Sequence, residues 1–595
     1  MKKSIILSAL ALSMTLVSCD DLFEPAIENN LGMEYMYNNP SYAEGVLGNA
    51  YTRLLNVNGS YPFSEVATDD AVSNDATNSW RKMASGTWTS NNNPADTWTT
   101  CRSAIQYLNL FLANADKVKW AEDEVAAKLY NDREKGEAYG LRALYMYYLL
   151  RAHGGYGNDG VLYGVPIITE PEDKNSDFNK PRNTFAECVQ AINEDCEKAL
   201  ELLPAEYGAI SSADQIPAKY RSEGVTVSQY NRVFGDNFQG RMCGKYVEAY
   251  RAKASLLAAS PAYAESGVTY QTAADNFAKV LDRINGVAGL DPTGNTWYCN
   301  TKEITGLQGA ECPKEIMWRT EKSNNKDLEA DNYPPSIYGK GRINPTQNFV
   351  DAFPMADGYP ITDANSGYSA QDPYSGRDPR LALYVVLNGS KQGPGDGTTI
   401  TTAVDVDGTN QDALNYLTGS STRTGYYLRK LLRSDVNLSP TSTTTQYHYN
   451  ARIRYTEMFL DYAEAANEAY GPKSDGGHGY SAYDVIKAIR ERAGLGDLGE
   501  DGYLEECAQS KEKMRELIRN ERRIELSFEG FRFWDLRRWN LNLNETAKGM
   551  SINAANNTYT PIDVDTREYK DYMNYGPIPY TECLKFDQLQ QNKGW

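Results

Sequence analysis

The stretch from Ala138 to Leu150 would be apolar on all sides of a helix, and this limits the fold more than any other feature of the chain. A helix without a polar face has to be enclosed. No apolar run after the first few residues approaches the ~18 needed to span a bilayer, so the enclosure is protein and not lipid. The stretch therefore reads as the buried half of a long helix, Glu122 to Ala152, with Gly154-Gly155 ending it.

Other helices must surround it, and the sequence supplies them. Ala43 to Leu55 is a short amphipathic helix, and Asp96 to Ala115 carries Trp98, Ile105, Leu108 and Leu112 on related turns. Thr184 to Leu203 opens with Thr184 three residues before Glu187, the capping-box spacing, and stops before Pro204. Lys245 to Ala259 is rich in alanine, which allows close helix approach; Ser260-Pro261 breaks it, and Tyr270 to Asn285 follows. Tyr455 to Tyr470 places Phe459, Tyr462, Ala463, Ala466 and Tyr470 on one core stripe. Ala482 to Ala493 and Glu512 to Phe528 complete the set. Adjacent helix pairs with small contact residues predict a mainly α fold, a tetratricopeptide-like helical-pair solenoid, although no clean 34-residue period is present.

The helical pattern lapses between about 287 and 450, a region rich in Gly, Pro, Asn, Asp and Thr. Only short strand-like runs occur there, such as Ile316-Met317-Trp318 and Ala382 to Leu387. Loops this long in a compact protein are usually functional. The expected organisation is a leader at 1–18, a helical region at 19–286, and a region at 287–595 containing the loop-rich insertion.

Residues 1–18 have a basic start, Lys2-Lys3, and an apolar stretch, Ile5 to Val17, too short to cross a membrane. They run into Leu16-Val17-Ser18-Cys19, which resembles a bacterial lipobox. The resemblance implies that Cys19 becomes the lipidated N-terminus, and several acyl chains on one residue anchor firmly. Asp20-Asp21 resembles the tag that sends Bacteroidetes lipoproteins to the cell exterior. Of the remaining cysteines, Cys188 and Cys196 lie too far apart on one helix to bridge. Cys299 and Cys312 flank a loop at a spacing that permits a disulfide.

Net charge is -19, so a phosphate-binding role in nucleic-acid recognition is disfavoured. The chain has 3 His and shows no GxSxG elbow, HExxH or phosphate loop. Its 43 Tyr against 15 Phe suit wet, half-buried surfaces and sugar or peptide contact. Asp405, Asp407 and Asp412 sit in a Gly-containing loop as a weak structural-calcium candidate, without EF-hand spacing.

Several segments, in order, resemble the SusD/RagB family. They are Leu141-Arg142-Ala143 with Gly154-Gly155 and Val165-Pro166; Asn344-Pro345-Thr346-Gln347 with Phe349 to Met355; and Gly376-Arg377-Asp378-Pro379-Arg380. Further on come Tyr462 to Glu468; Asn520-Glu521-Arg522-Arg523-Ile524-Glu525-Leu526 with Arg532 to Trp539; Pro577-Ile578-Pro579; and Gln591 to Trp595. His153 and Lys593 depart from the usual pattern. Arg519 to Glu525 also has charges spaced for i,i+3 and i,i+4 pairs along one helix, a structural role without ligand contact.

The resemblance implies an outer-membrane lipoprotein, not an enzyme, that captures an oligosaccharide and passes it to a SusC-type TonB-dependent barrel. The same family includes RagB-like members that resemble peptide capturers. A surface glycoside hydrolase and a purely structural lid are the other readings the residues allow. In the family, ligand contacts come from a loop before the second helix and from loops upstream of the Asn-Pro-Thr-Gln segment. By loop position these are Asp69 to Thr87 and Asn324 to Ile343. Trp80, Tyr333 and Tyr338 are the expected stacking platforms, with Asp70, Asn74, Arg81 and Arg342 as hydrogen-bonding partners. Trp88, Trp98, Trp297 and Trp318 are expected to pack.

Overall fold

A computed structural model describes residues 33–55, 61–405, 407–496 and 501–595. The leader, Cys19 and the acidic pair after it lie outside the described residues. The frame is a relay of helices: α1 (Pro40–Tyr51), α2 (Trp98–Asn114), α3 (Glu124–His153), α4 (Phe185–Leu202), α5 (Gly244–Ala259), α6 (Tyr270–Asp282) and α7 (Tyr455–Tyr470). Each packs on the next in that order, and α7 then packs on α8 (Ala482–Ala493) and α9 (Lys511–Glu525). A short helix, α10 (Arg532–Arg538), follows.

The predicted helices are found within a few residues of their expected ends, whereas the strand-like run Ala382 to Leu387 begins inside a short helix, Pro379–Tyr384, and only Val385–Val386 is a strand. Thr184 caps α4 with the reciprocal bonds of a capping box: its hydroxyl accepts the Glu187 N–H, and the Glu187 carboxylate accepts the Thr184 N–H at 2.8 Å. Leu141, Leu144, Leu149 and Leu150 are fully buried. Arg142 lies within that run, so the stretch from Ala138 to Leu150 carries one buried charge; Asp195 on α4 takes both prongs of its guanidinium at 2.7 Å. Gly154 ends α3 as expected, with φ -66°, outside the left-handed region. A Cβ there would lie 2.6 Å from the Leu150 carbonyl oxygen and 2.9 Å from Phe185.

The helix expected to reach Phe528 stops at Glu525, since Phe528 adopts a left-handed backbone with φ 61°. The charges of α9 also pair differently from expectation. Arg519 pairs with Glu516 along the helix, but Glu521, Arg522, Arg523 and Glu525 pair with other elements. Cys299 and Cys312 are both free thiols, so the disulfide their spacing permits is not formed.

The main hydrophobic core draws on residues from Met36 to Leu281 and again from Met317 to Leu589, so it is not divided near residue 286. Across the loop-rich region the strands come in antiparallel pairs: β1 (Ala71–Ser73), β2 (Ile316–Arg319), β3 (Ser323–Asn325), β4 (Ile343–Pro345), β5 (Gln446–His448) and β6 (Ala451–Arg454). β1 pairs with β4, β3 with β5, and β2 with β6. Trp88, Trp98, Trp297 and Trp318 are buried, as expected.

Candidate functional site

The two loops singled out in the sequence meet. β1 and β4 place Val72 opposite Asn344 and Ser73 opposite Ile343. Just beyond, the Asn74 N–H donates to the Arg342 carbonyl at 3.2 Å, and its side-chain amide donates to the Lys340 and Gly341 carbonyls at 2.9 and 2.7 Å. The joined loops form one wall of an open cleft of about 470 Å³. Ser73, Asp75 and Asn78 come from the first loop, and Asn325, Asp331, Lys340 and Arg342 from the second. Tyr61, Phe63, Tyr298, His448 and Tyr449 also line the cleft. Tyr61, Pro62 and Asn450 also line a second, inner chamber of about 260 Å³, walled by Trp80, Tyr148, Tyr250, Phe531 and Trp534.

The polar groups of the outer cleft are held in place. His448 lies 2.9 Å from the Gln446 carbonyl through Nδ1 and 2.9 Å from the buried Glu329 carboxylate through Nε2. Lys340 pairs with Asp331 at 2.8 Å. The hydroxyl and N–H of Thr77 hold the Asp75 carboxyl below the usual carboxylate range. Arg342 donates to the Gly419 carbonyl at 3.0 Å. Aromatic faces beside fixed donors and acceptors can bind a ring that is apolar on its face and polar at its rim.

Of the residues expected to contact ligand, Arg342 lines the outer cleft and Trp80 the inner chamber. Trp80 is half-buried, with its ring edge-on to Phe533 at 5.1 Å. The others do not line either space. Tyr333 is wholly buried and donates its hydroxyl to the Arg433 carbonyl, so it has no free face. Asp70 is buried, with Arg523 Nε donating to it at 2.6 Å. Burial pushes the Asp70 carboxyl up, while Arg523 and Arg532 hold its neighbour Asp69 down. Asn74 is buried as the clamp between the loops. Arg81 is partly exposed outside both cavities; burial and the nearby Arg423 lower its affinity for its proton. Tyr338 is 60% exposed with φ 68°, and it too lies outside the cleft.

The calcium candidate does not assemble. Asp405 accepts backbone N–H groups of Asp407, Thr409 and Asn410, while Asp412 accepts the Ser336 N–H at 2.8 Å. Among the described residues no group of three or more His, Cys, Asp or Glu side chains is arranged to hold a metal.

The sequence reading missed Tyr61, Phe63, Tyr298 and Tyr449. Their signal was present: Tyr61-Pro62-Phe63 directly precedes the first loop, and Tyr449 sits beside Asn450 after β5. Phe63 holds a left-handed backbone with φ 45°, strain that such sites often store.

A helical relay carrying an open, loop-built aromatic cleft defines a class of binding scaffold, and comparison with known proteins identifies it. Residues 314–595 match the profile of the SusD family, and residues 39–217 match that of a family described as starch-binding and associating with the outer membrane. The chain belongs to the SusD/RagB family. No curated protein matches it. Among solved structures, a SusD-like protein from Bacteroides fragilis is 23% identical with a TM-score of 0.69, covering 94% of this chain and 98% of that one. A SusD-like carbohydrate-binding protein from the same species is 20% identical with a TM-score of 0.66, covering 93% and 100%. A laminarin-binding SusD-like protein is 19% identical with a TM-score of 0.54, covering 94% and 100%. These likenesses share the fold. Among the described residues no helix is long and apolar enough to cross a membrane.

Proposed function

We propose that this protein captures an oligosaccharide at the cell surface, held to the outer membrane by lipid on Cys19, and passes it to a SusC-type TonB-dependent barrel. It binds and positions its cargo and breaks no bond. One observation carries the reading: two distant loops are joined by β1 and β4 at an open cleft of about 470 Å³ that is also lined by tyrosines. Supporting it, the family profile over residues 39–217 is described as starch-binding, and one solved relative as laminarin-binding. The site's histidine is braced by Glu329 and a backbone carbonyl, a positioning arrangement.

A binding screen of the purified protein against polysaccharides and peptides, by gel retardation and calorimetry, tests this. We expect one glycan class to bind. Losing one stacking ring, in Tyr61→Ala or Trp80→Ala, should weaken it roughly 3- to 10-fold. A peptide signal without a glycan signal would change the cargo to that of RagB-like members. Release of product from a glycan would overturn the non-catalytic reading. Recovery of a barrel protein with this chain from solubilised membranes tests the transfer step.

A further inference from the structure

The inner chamber presents donors that have nothing to donate to. Arg151 stacks on Trp534, 4.4 Å from its ring centre, and among the described residues its guanidinium has neither a hydrogen-bond nor an ion-pair partner. Arg452 stacks on Trp318 at 5.3 Å and, among the described residues, gives one hydrogen bond, to the Leu55 carbonyl at 2.8 Å, and has no carboxylate partner. Trp297 Nε1 and Asn450 Nδ2 are buried and have no hydrogen-bond partner among the described residues, and all four residues line the chamber. Native proteins leave few buried polar groups unpaired, so several around one open cavity need a cause.

The carboxylates of the same chamber are already engaged. Asp96 accepts the Trp98 N–H at 2.8 Å and lies 3.3 Å from His153. Lys253 reaches Glu457 at 2.5 Å, and Lys430 and Arg454 reach Glu529 at 2.8 Å each. What the chamber offers a ligand is therefore two cations without a carboxylate partner among the described residues, buried N–H groups, and the unpaired hydroxyls of Ser64 and Thr97. Arginine and the indole N–H can only donate. A sugar hydroxyl both gives and takes a hydrogen bond, whereas a carboxylate or sulfate ester only accepts, and a charged acceptor makes the stronger bond.

Resting on the oligosaccharide-capture reading above, we propose that the inner chamber holds an anionic substituent of the glycan, a carboxylate or a sulfate ester, between Arg151 and Arg452. The outer cleft then grips neutral sugar units of the same chain. The ligand is an acidic oligosaccharide.

Calorimetry on the full chain at low salt, with three oligosaccharides of equal length, tests this: a neutral β-glucan, an oligogalacturonate and a sulfated galactan. One or both acidic ligands should bind about 10- to 100-fold tighter than the neutral one, the range a charge-assisted bond supplies. Which one does so separates carboxylate from sulfate. Arg151→Gln and Arg452→Gln should each remove that preference while leaving neutral binding within about twofold, and Arg151→Lys should restore part of it. Melting curves of each variant separate lost binding from lost folding. Equal affinity for acidic and neutral chains, or a preference unchanged in folded Arg151→Gln, would overturn the anionic assignment and leave oligosaccharide capture standing. Silence toward all three, with binding to peptides alone, would overturn both.

Discussion

Glu65 shows how a single side chain can set a pH response. It is fully buried, accepts the Gly530 N–H at 2.7 Å through one oxygen, and has no partner for the other among the described residues. Burial pushes its carboxyl up to about 7. A raised folded value means that the folded state keeps a proton the unfolded chain would release. Glu65 therefore withdraws stability as pH climbs from about 4.5 to about 7, by on the order of 3 kcal/mol. Glu65→Gln removes the ionising group, so it should raise the Tm at pH 8 and leave the Tm at pH 5 nearly unchanged; paired thermal melts check this. The site residues were only partly legible at this scale. Loop position correctly brought the stretches around Asn74 and Arg342 together. Which side chains turn outward was not readable, because Asp70 and Tyr333 owe their burial to partners far along the chain, Arg523 and Arg433.

At the scale of elements, periodicity and capping signals worked because they are local. The stripe on α7 and the Thr184–Glu187 box each lie within one helix. Thr184→Ala should cost about 1 kcal/mol, read as a lower midpoint in denaturant. The charges of α9 were misleading for the converse reason. Their spacing fits pairing along one helix, yet Glu521 accepts Arg490 at 2.7 Å and Arg380 at 2.9 Å, tying α9 to α8 and to the short helix Pro379–Tyr384. All three side chains are essentially inaccessible. Glu521→Ala removes a carboxylate shared by two buried guanidiniums, which keep Asp378, Glu525 and Asp501 as partners, and should cost about 3 kcal/mol. Replacing Arg380 and Arg490 as well should cost more, because Asp378 and Asp501 would then lose their guanidinium partners, and equilibrium unfolding of the two variants compares them.

At the scale of the whole molecule, the last segment of the chain closes the first half. Asn592 donates to the carbonyls of His153 at 2.9 Å and Gly576 at 2.6 Å, and accepts from Arg182 at 2.8 Å. Arg182 in turn gathers the carbonyls of His153, Gly155, Tyr163 and Gly164, and burial lowers its proton affinity to about 10. Trp595 stacks edge-on against Trp88 at 4.7 Å. Asn592→Ala should therefore lower the melting temperature of the entire protein in one calorimetric transition. A tail that frayed first, giving a separate low-temperature step, would count against this.

The contact between His153 Nδ1 and the Pro577 carbonyl, at 2.7 Å, joins positions 424 residues apart in sequence. A chain emerging from a ribosome or an export channel with its N-terminal end leading exposes the end of α3 long before residue 577 arrives. For that interval the helical relay has a buried polar end without its complement. Contacts of such long sequence separation slow folding and extend the time that apolar surface stays accessible. The nascent protein thus has a built-in waiting period during which a holding chaperone would be needed, and that period ends only when the closing segment has been delivered.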